Sequence, residues 1–447
     1  MKVSAALPTG VAALLFESAR ARRRLEGCLA ALVEGHGYAE AILPILDYLE
    51  PYEALLTPAS RGELYRFIDR DGEQLALRAD FTPMLARLLA PRLGSLRLPL
   101  RLFYRGDVVR YEESRPGSRR ELYQMGVELL GMAGAVPGEP AEEAEREVLG
   151  LFLEALAAGG GGPRQVVLGL AGVLDAALLA AAGGGSRGDL AGTAATAATA
   201  ATAATAAAAA TAAAVARRER SVVRQACPVL LPIVETGLPE RPEDLGPAAA
   251  ARLRWLLALR DELAPRFPAV QLSVDLAEFA RFSRHPDLAA EAGARSYYDG
   301  LVFRAYAGAA AVPVGGGGCY GSLFRALGAD IDAVGFSLNL DGLLEAGEEE
   351  AFLPERSTAV GEERVVPGSA SQAPQPVAEE LVAGGEEGGL REAELPPADL
   401  WASHRSPPPP RVTRSPKGRP GGAPPPRPGR RGVPRRRPEG RSPKAVR

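Results

Sequence analysis

Apolar residues at Leu25, Cys28, Leu29 and Leu32 recur at i, i+3, i+4 and i+7, the spacing that gathers side chains on one face of an α-helix. The GHG run at 35–37 ends that helix. YAEAILPILDYLEP (38–51) then reads as a strand with Pro44 inside it. Proline donates no ladder hydrogen bond, so this strand belongs at an edge or an interface. ELYRFIDRDGEQLALR (63–78) reads as a hairpin turning at Asp71-Gly72, the pair that tight β-turns favour. ADFTPMLARLLAPRL (79–93) starts a helix, with Thr82 as its cap, Pro83 in its first turn and Pro91 at its end.

The densest chemistry lies in FYRGDVVRYEESRPGSRRELYQMGVELLG (103–131), two strands around a basic loop. Strand side chains alternate between faces. Tyr123, Met125, Val127 and Leu129 therefore share an apolar face, and Gln124, Gly126 and Glu128 share the other. Arg110 and Glu112 are two apart and also share a face. If the two strands pair, an arginine, two carboxylates and an amide line one surface, which suits a small zwitterion. A solvated sheet face carrying cross-strand ion pairs is the alternative these residues leave open.

ARSYYDGLVFRAYAG (294–308) and AVPVGGGGCYGSLFRALG (311–328) follow later. Four glycines at 315–318 let the backbone approach a neighbour or a ligand closely. No Lys-Ser/Thr pair follows them, so this is not a phosphate-cradling loop. Tyr297, Tyr298 and Tyr320 are candidate hydrogen-bonding groups, although aromatic residues in strands are more often simply packed. GADIDAVGFSLNLDGLL (328–344) reads as a strand running into a helix. Helices, antiparallel hairpins and few β-α-β alternations predict an α+β fold rather than a doubly wound sheet.

Other segments lack such patterning. Residues 191–214 repeat Thr every three positions from Thr193 to Thr205, a period that matches neither helix nor strand. They read as an expanded insert in a surface connection, with no large side chain to bury. Beyond about Glu355 the chain turns into an acidic linker and then a Pro/Arg-rich tail, both expected to be disordered. The folded part is thus expected at 1–350, with 351–447 as linker and tail.

Charge follows the same division. Of the 447 residues, 401–447 carry 14 Lys and Arg against Glu439 alone, leaving residues 1–400 with 38 basic and 54 acidic residues. An acidic body with a basic tail argues against a nucleic-acid-binding core, while the tail alone can touch polyanions. Cys28, Cys227 and Cys319 are far apart and form no CxxC pair, and His36, His285 and His404 are scattered. That points away from a disulfide framework and from a His/Cys metal site. The N-terminal apolar run precedes its basic cluster, the reverse of a signal peptide. No apolar run of spanning length appears outside the Ala/Thr tract. These features predict a soluble cytoplasmic protein with no metal or cofactor.

Taken together, VVRYEE (108–113), RRELYQMGVELLG (119–131), LALRADFTP (75–83), SYYDGLVFRAY (296–306) and GGGGCYGSL (315–323) resemble the catalytic core of class II aminoacyl-tRNA synthetases of the histidyl type. The resemblance covers about residues 7–345 apart from the Ala/Thr insert. It implies a mostly antiparallel sheet flanked by helices. It also implies a histidine-like pocket lined by Asp80, Thr82, Arg110, Gln124, Glu128, Tyr298 and Tyr320, with Glu112 as the remnant of an ATP site.

The departures from that pattern carry equal weight. Gly293, Gly342 and Ser118 stand where the synthetases carry arginines for activation and ATP binding, and a disordered tail replaces the anticodon-binding domain. Removing one such donor from a transition state is typically worth about 10²–10³ in rate. The pattern, with LPTGV, LYRFIDRDG and DLAE added, is similar to the regulatory subunit of ATP phosphoribosyltransferase, a family that keeps this fold without the activity. Cys319 and Gly321 depart even there, where arginine and aspartate are expected. The resemblance implies a non-catalytic subunit that self-associates as a dimer through the region around ILPILDY. It would assemble with the short-form catalytic subunit in a hetero-oligomer, support the first step of histidine biosynthesis and take part in feedback inhibition by histidine. The alternative is a divergent histidine-activating class II synthetase-like enzyme.

Overall fold

The structure, a computed structural model, describes residues 6–56, 58–111, 119–132, 142–159, 164–183, 194–282, 297–308 and 313–351. The expected linker and tail therefore lie outside the described residues, as do Glu112, Ser118 and Gly293.

Helix α1 (Phe16–Gly35) stops where expected, and Gly37 turns the chain away with φ of 82°. Its buried stripe is Leu25, Glu26, Leu29, Ala30 and Val33, while Cys28 is exposed. The expected face is rotated because Glu26 is drawn inward, accepting a hydrogen bond from the Tyr123 hydroxyl at 2.8 Å.

The single strand expected around Pro44 is two strands in two sheets. Strand β1 (Ala39–Glu40) runs parallel to β5 (Leu100–Val109), and β2 (Leu46–Tyr48) pairs antiparallel with β4 (Gln74–Leu77). Pro44 lies between them, where no ladder donor is needed. Strand β3 (Arg66–Ile68) completes a three-stranded sheet in the order β2-β4-β3. The hairpin turn is the expected one: Gly72 has φ of 88°, and Asp69 Oδ1 accepts from the amides of Asp71 and Glu73 at 2.9 Å each.

The main sheet has eight strands in the order β1-β5-β6-β11-β10-β9-β7-β8. The members not yet placed are β6 (Glu121–Leu130), β7 (Arg164–Leu170), β8 (Val270–Val274), β9 (Leu301–Ala307), β10 (Gly315–Cys319) and β11 (Ala333–Asn339). The β1-β5 and β7-β8 pairs are parallel and the rest antiparallel, matching the mostly antiparallel expectation.

The alternation in β6 divides the molecule. Tyr123, Met125, Val127 and Leu129 enter the large apolar core. Helices α3 (Glu142–Ala158) and α7 (Leu340–Ala351) cover this face with α1. Glu128 faces the other side, which α2 (Phe81–Leu89) and α6 (Gly321–Ala326) close.

The Ala/Thr tract is helical from Ala194 to Ala216 (α4), and it is not a bare surface connection. Ala208, Ala209, Ala212, Ala214 and Val215 are buried in the core. Alanine has the highest helix propensity, and its small side chain lets one helix lie close against others, so a Thr-Ala repeat is compatible with burial. Helix α5 (Pro247–Leu263) contributes Leu253, Leu256, Leu259 and Leu263 to the same core.

Candidate functional site

A cavity of about 80 Å³ opens on the Glu128 face of the main sheet, lined among others by Asp80, Thr82, Tyr104, Glu128, Tyr298 and Tyr320. Several elements of the fold supply these side chains. Asp80 is extended (φ −156°, ψ 142°) and caps α2, its carboxylate accepting from the Thr82 amide at 3.0 Å. Asp80, not Thr82, is therefore the helix cap. The Thr82 hydroxyl is left to donate to Glu128 Oε1 at 2.7 Å.

Tyr52 fixes the same turn from behind. Its buried hydroxyl accepts from the amides of Ala79 and Asp80 at 2.9 and 2.7 Å and donates to the Asp80 carbonyl at 2.8 Å. Arg78, 4% exposed, donates to the carbonyls of Leu43, Pro44 and Asp107 at 2.7–3.2 Å. Its guanidinium lies 3.8 Å from the centre of the Phe81 ring, and Phe81 stacks on Tyr104 with centroids 4.2 Å apart. This column orients Tyr104 at the cavity wall.

Room for the cavity comes from missing side chains in the sheet. A Cβ at Gly335 of β11 would fall 1.8 Å from Glu128 Oε2 and 2.4 Å from the Val127 carbonyl. A Cβ at Gly126 would fall 2.5 Å from the Tyr104 hydroxyl. Glycine is thus required wherever a strand passes Glu128 and Tyr104. Of the four-glycine run, Gly316 and Gly317 reach the cavity.

Glu128 is 1% exposed and accepts hydrogen bonds from Thr82 and from the Tyr320 hydroxyl. Burial pushes its carboxyl up to about 8, and those hydrogen bonds offset the effect only in part. Asp80 is also pushed up by burial, with Arg110 the main opposing influence. The phenols of Tyr104, Tyr297 and Tyr298 are raised by burial and by both carboxylates, and that of Tyr320 by burial and Glu128, which keeps them protonated donors.

Of the expected pocket residues, Asp80, Thr82, Glu128, Tyr298 and Tyr320 meet at this cavity, whereas Arg110 and Gln124 do not line it. Arg110 donates to the Ala79 carbonyl at 2.7 Å, supporting the turn that holds Asp80. Gln124 is buried two residues before Gly126 and pairs with Gly106 and Asn339 in the neighbouring strands. Tyr104 and Ser337 join the site without having been assigned to it from sequence, and Tyr297, a candidate hydrogen-bonding group in the sequence, lines it beside Tyr298. Tyr104 was findable: it pairs directly with Gly126 across the two strands.

Three departures from the expected pattern lie among the described residues, and one of them, Gly321, is the first residue of α6. Gly342 lies in the first turn of α7 and donates to Asn339 Oδ1 at 3.2 Å; a Cβ there would sit 3.2 Å from Asn339 Nδ2. Cys319 is buried with its thiol 3.0 Å from Glu145 Oε1, beside the amide of Leu301, which donates to the same oxygen at 2.9 Å. Glu145, 0% exposed, is paired with Arg252 of α5. Among the described residues no cluster of His, Cys, Asp and Glu is disposed to hold a metal ion, and no helix is long and apolar enough to cross a membrane.

Comparison with known proteins agrees with this architecture. The histidyl-tRNA synthetase family model matches residues 10–343. The ATP phosphoribosyltransferase regulatory subunit of Moorella thermoacetica is 34% identical over 354 residues, covering 77% of this chain and 82% of that protein. The protein of the same name from Symbiobacterium thermophilum is 33% identical over 351 residues, covering 78% and 81%. Two solved structures share the fold. One, from Bacillus halodurans, is described as an ATP phosphoribosyltransferase regulatory subunit/histidyl-tRNA synthetase, with a TM-score of 0.58 at 23% identity over 78% of this chain and 84% of its own. A histidine–tRNA ligase subunit from Alicyclobacillus acidocaldarius gives 0.55 at 24% identity over 78% and 99%. With the class II sheet, the glycine-bordered cavity and this identity over most of its length, the chain belongs to the family of ATP phosphoribosyltransferase regulatory subunits, built on the histidyl-tRNA synthetase fold.

Proposed function

We propose that this chain is a non-catalytic cytoplasmic subunit that binds the short-form catalytic subunit of ATP phosphoribosyltransferase, supports its activity in the first step of histidine biosynthesis, and mediates feedback inhibition by histidine bound in the Glu128 cavity. The observation that carries the reading is the 34% identity to a protein named as that regulatory subunit, sustained over 77% of the chain. Gly342 supports the non-catalytic part, since a glycine supplies no cation to a nucleotide phosphate. The cavity supports the ligand part. Its two carboxylates suit an ammonium, and its tyrosines and Thr82 suit a polar ring.

Self-association as a dimer within the hetero-oligomer belongs to the same proposal. Ile42 (88% exposed), Ile68 (71%), Tyr48, Ile45, Leu46 and Phe67 leave apolar surface on and beside the three-stranded sheet. Apolar patches of this kind mark association surfaces.

The test is the activity of the same organism's short-form catalytic subunit, measured with and without this chain and with and without histidine. Activation by the chain and its reversal by histidine are expected. No activation and no co-elution would overturn the assignment. Histidine-dependent exchange of pyrophosphate into ATP would favour the activating enzyme instead.

A further inference from the structure

The cavity is unbalanced in charge. From the start of α2 it receives Asp80 and Thr82, from β5 Tyr104, from β6 Glu128, from the segment before β9 Tyr297 and Tyr298, from the end of β10 Tyr320, and from β11 Ser337. No Lys, Arg or His is among these lining residues. Cations act on the lining only from behind it: Arg110 on Asp80, Arg304 on Tyr298 and Arg78 on Tyr104. Two carboxylates therefore share one small enclosure, and Glu128 is almost completely shut off from water.

Burial is the main influence that disfavours the charged form of Glu128, the charge of Asp80 adds to it, and no cation on the lining offsets either, so the proton is held on Glu128. The Thr82 and Tyr320 hydroxyls stabilise the carboxylate of Glu128 but bring no positive charge.

We propose that the cavity binds the ammonium group of an amine or amino-acid ligand in exchange for a proton, which Glu128 gives up to solvent on binding. The inference rests on the reading of this cavity as a ligand site. The step balances as a simple exchange: the O–H bond of the Glu128 carboxylic acid breaks, the proton passes to water or buffer, and the carboxylate left behind faces the ligand's ammonium. No co-reactant is needed. The consequence is that ligand affinity depends on pH although the ligand's own ammonium stays charged throughout the range.

The test is titration calorimetry of the full chain with L-histidine and, separately, with histamine, which lacks the carboxylate. Each is run near pH 7.5 in phosphate and in Tris, two buffers that differ widely in ionisation enthalpy. The expected result is a buffer-dependent heat corresponding to release approaching one proton per ligand. Affinity is expected to rise about five- to tenfold between pH 7 and 8.5, as follows for a carboxyl titrating near 8. In the Glu128→Gln variant the proton release disappears. Binding with equal heats in both buffers and a flat pH profile would overturn the exchange while leaving histidine binding intact. Proton release that persists in Glu128→Gln would overturn the assignment to Glu128. No binding of either ligand at any pH would overturn the cavity as a ligand site, and the exchange with it.

Discussion

The hydroxyl of Tyr52 meets Asp80 through the main chain alone, accepting from its amide at 2.7 Å and donating to its carbonyl at 2.8 Å. One buried oxygen thus sets the backbone of the residue that caps α2 and faces the cavity. Tyr52→Phe removes three hydrogen bonds without opening a void. The orphaned amides and carbonyl should destabilise the chain by about 1–3 kcal/mol, read as a lower urea midpoint at unchanged slope. Histidine affinity should fall with it, and a variant as stable as the parent would show that the Asp80 turn holds itself.

Glu128 predicts a pH dependence of stability with a definite sign. Its carboxyl is raised in the folded chain, from an ordinary 4.5 to about 8. The native state therefore holds a proton that the unfolded state has lost. Stability is highest below about pH 4.5, declines as pH rises through the window to about 8, and is level above it. The loss is on the order of a few kcal/mol across that window. In Glu128→Gln this component vanishes, so the difference between the two unfolding curves should change with pH and favour the variant at pH 8.5. Parallel curves would contradict it.

Arg252 predicts a large cost and a partial rescue. Removing it leaves Glu145 buried and unpaired, which typically costs about 3–5 kcal/mol. Arg252→Ala should be strongly destabilised, and adding Glu145→Gln should recover part of the loss, because the amide oxygen still accepts from Leu301. Additive destabilisation in a double-mutant cycle would exclude the coupling.

Gly335→Ala tests the cavity border. The added carbon would overlap Glu128 Oε2 and the Val127 carbonyl, and backbone cannot move aside cheaply. A loss of at least about 1–3 kcal/mol is expected, together with loss of ligand binding. Gly150→Ala, where a Cβ meets nothing within 4 Å, is the control that should leave both unchanged.

The apolar surface gives a test of assembly. Ile42→Asp with Ile68→Asp changes two exposed positions, so the fold should survive, judged by an unchanged melting temperature. Sedimentation should then show a shift from dimer to monomer. A parent chain that sediments as a monomer would remove the dimer from the proposal.

Much of this architecture could be read from local pattern. The alternation from Tyr123 to Leu129 assigned both faces of β6 correctly, because period 2 leaves no choice once one face is apolar. The Asp71-Gly72 turn and the strand-to-helix passage near Asn339 were equally local. What escaped depended on distant partners. Thr82 looked like a cap since it precedes Pro83, but Asp80 took the cap and freed the hydroxyl for Glu128, 46 residues away. Cys28 fitted the helical period, and the face turned instead toward Glu26 and its tyrosine partner. The Ala/Thr tract has a period of three, which matches no helix face and so does not reveal that one side is covered. Arg110 and Gln124 were close in sequence to the site without lining it.

Arg78 gives the molecule a mechanical property. All four of its hydrogen bonds end on carbonyls of two separate segments, the Leu43–Pro44 crossing and Asp107 in β5, and its planar head rests on Phe81 and thence on Tyr104. A guanidinium cannot bend, so those contacts behave as one stiff plate clamped at three edges. The stretch carrying Ile42 and Ile45 is bolted to one edge and the cavity wall leans on the flat. A lysine there would hold one point where arginine holds three, and the outer surface and the inner wall would lose their common reference.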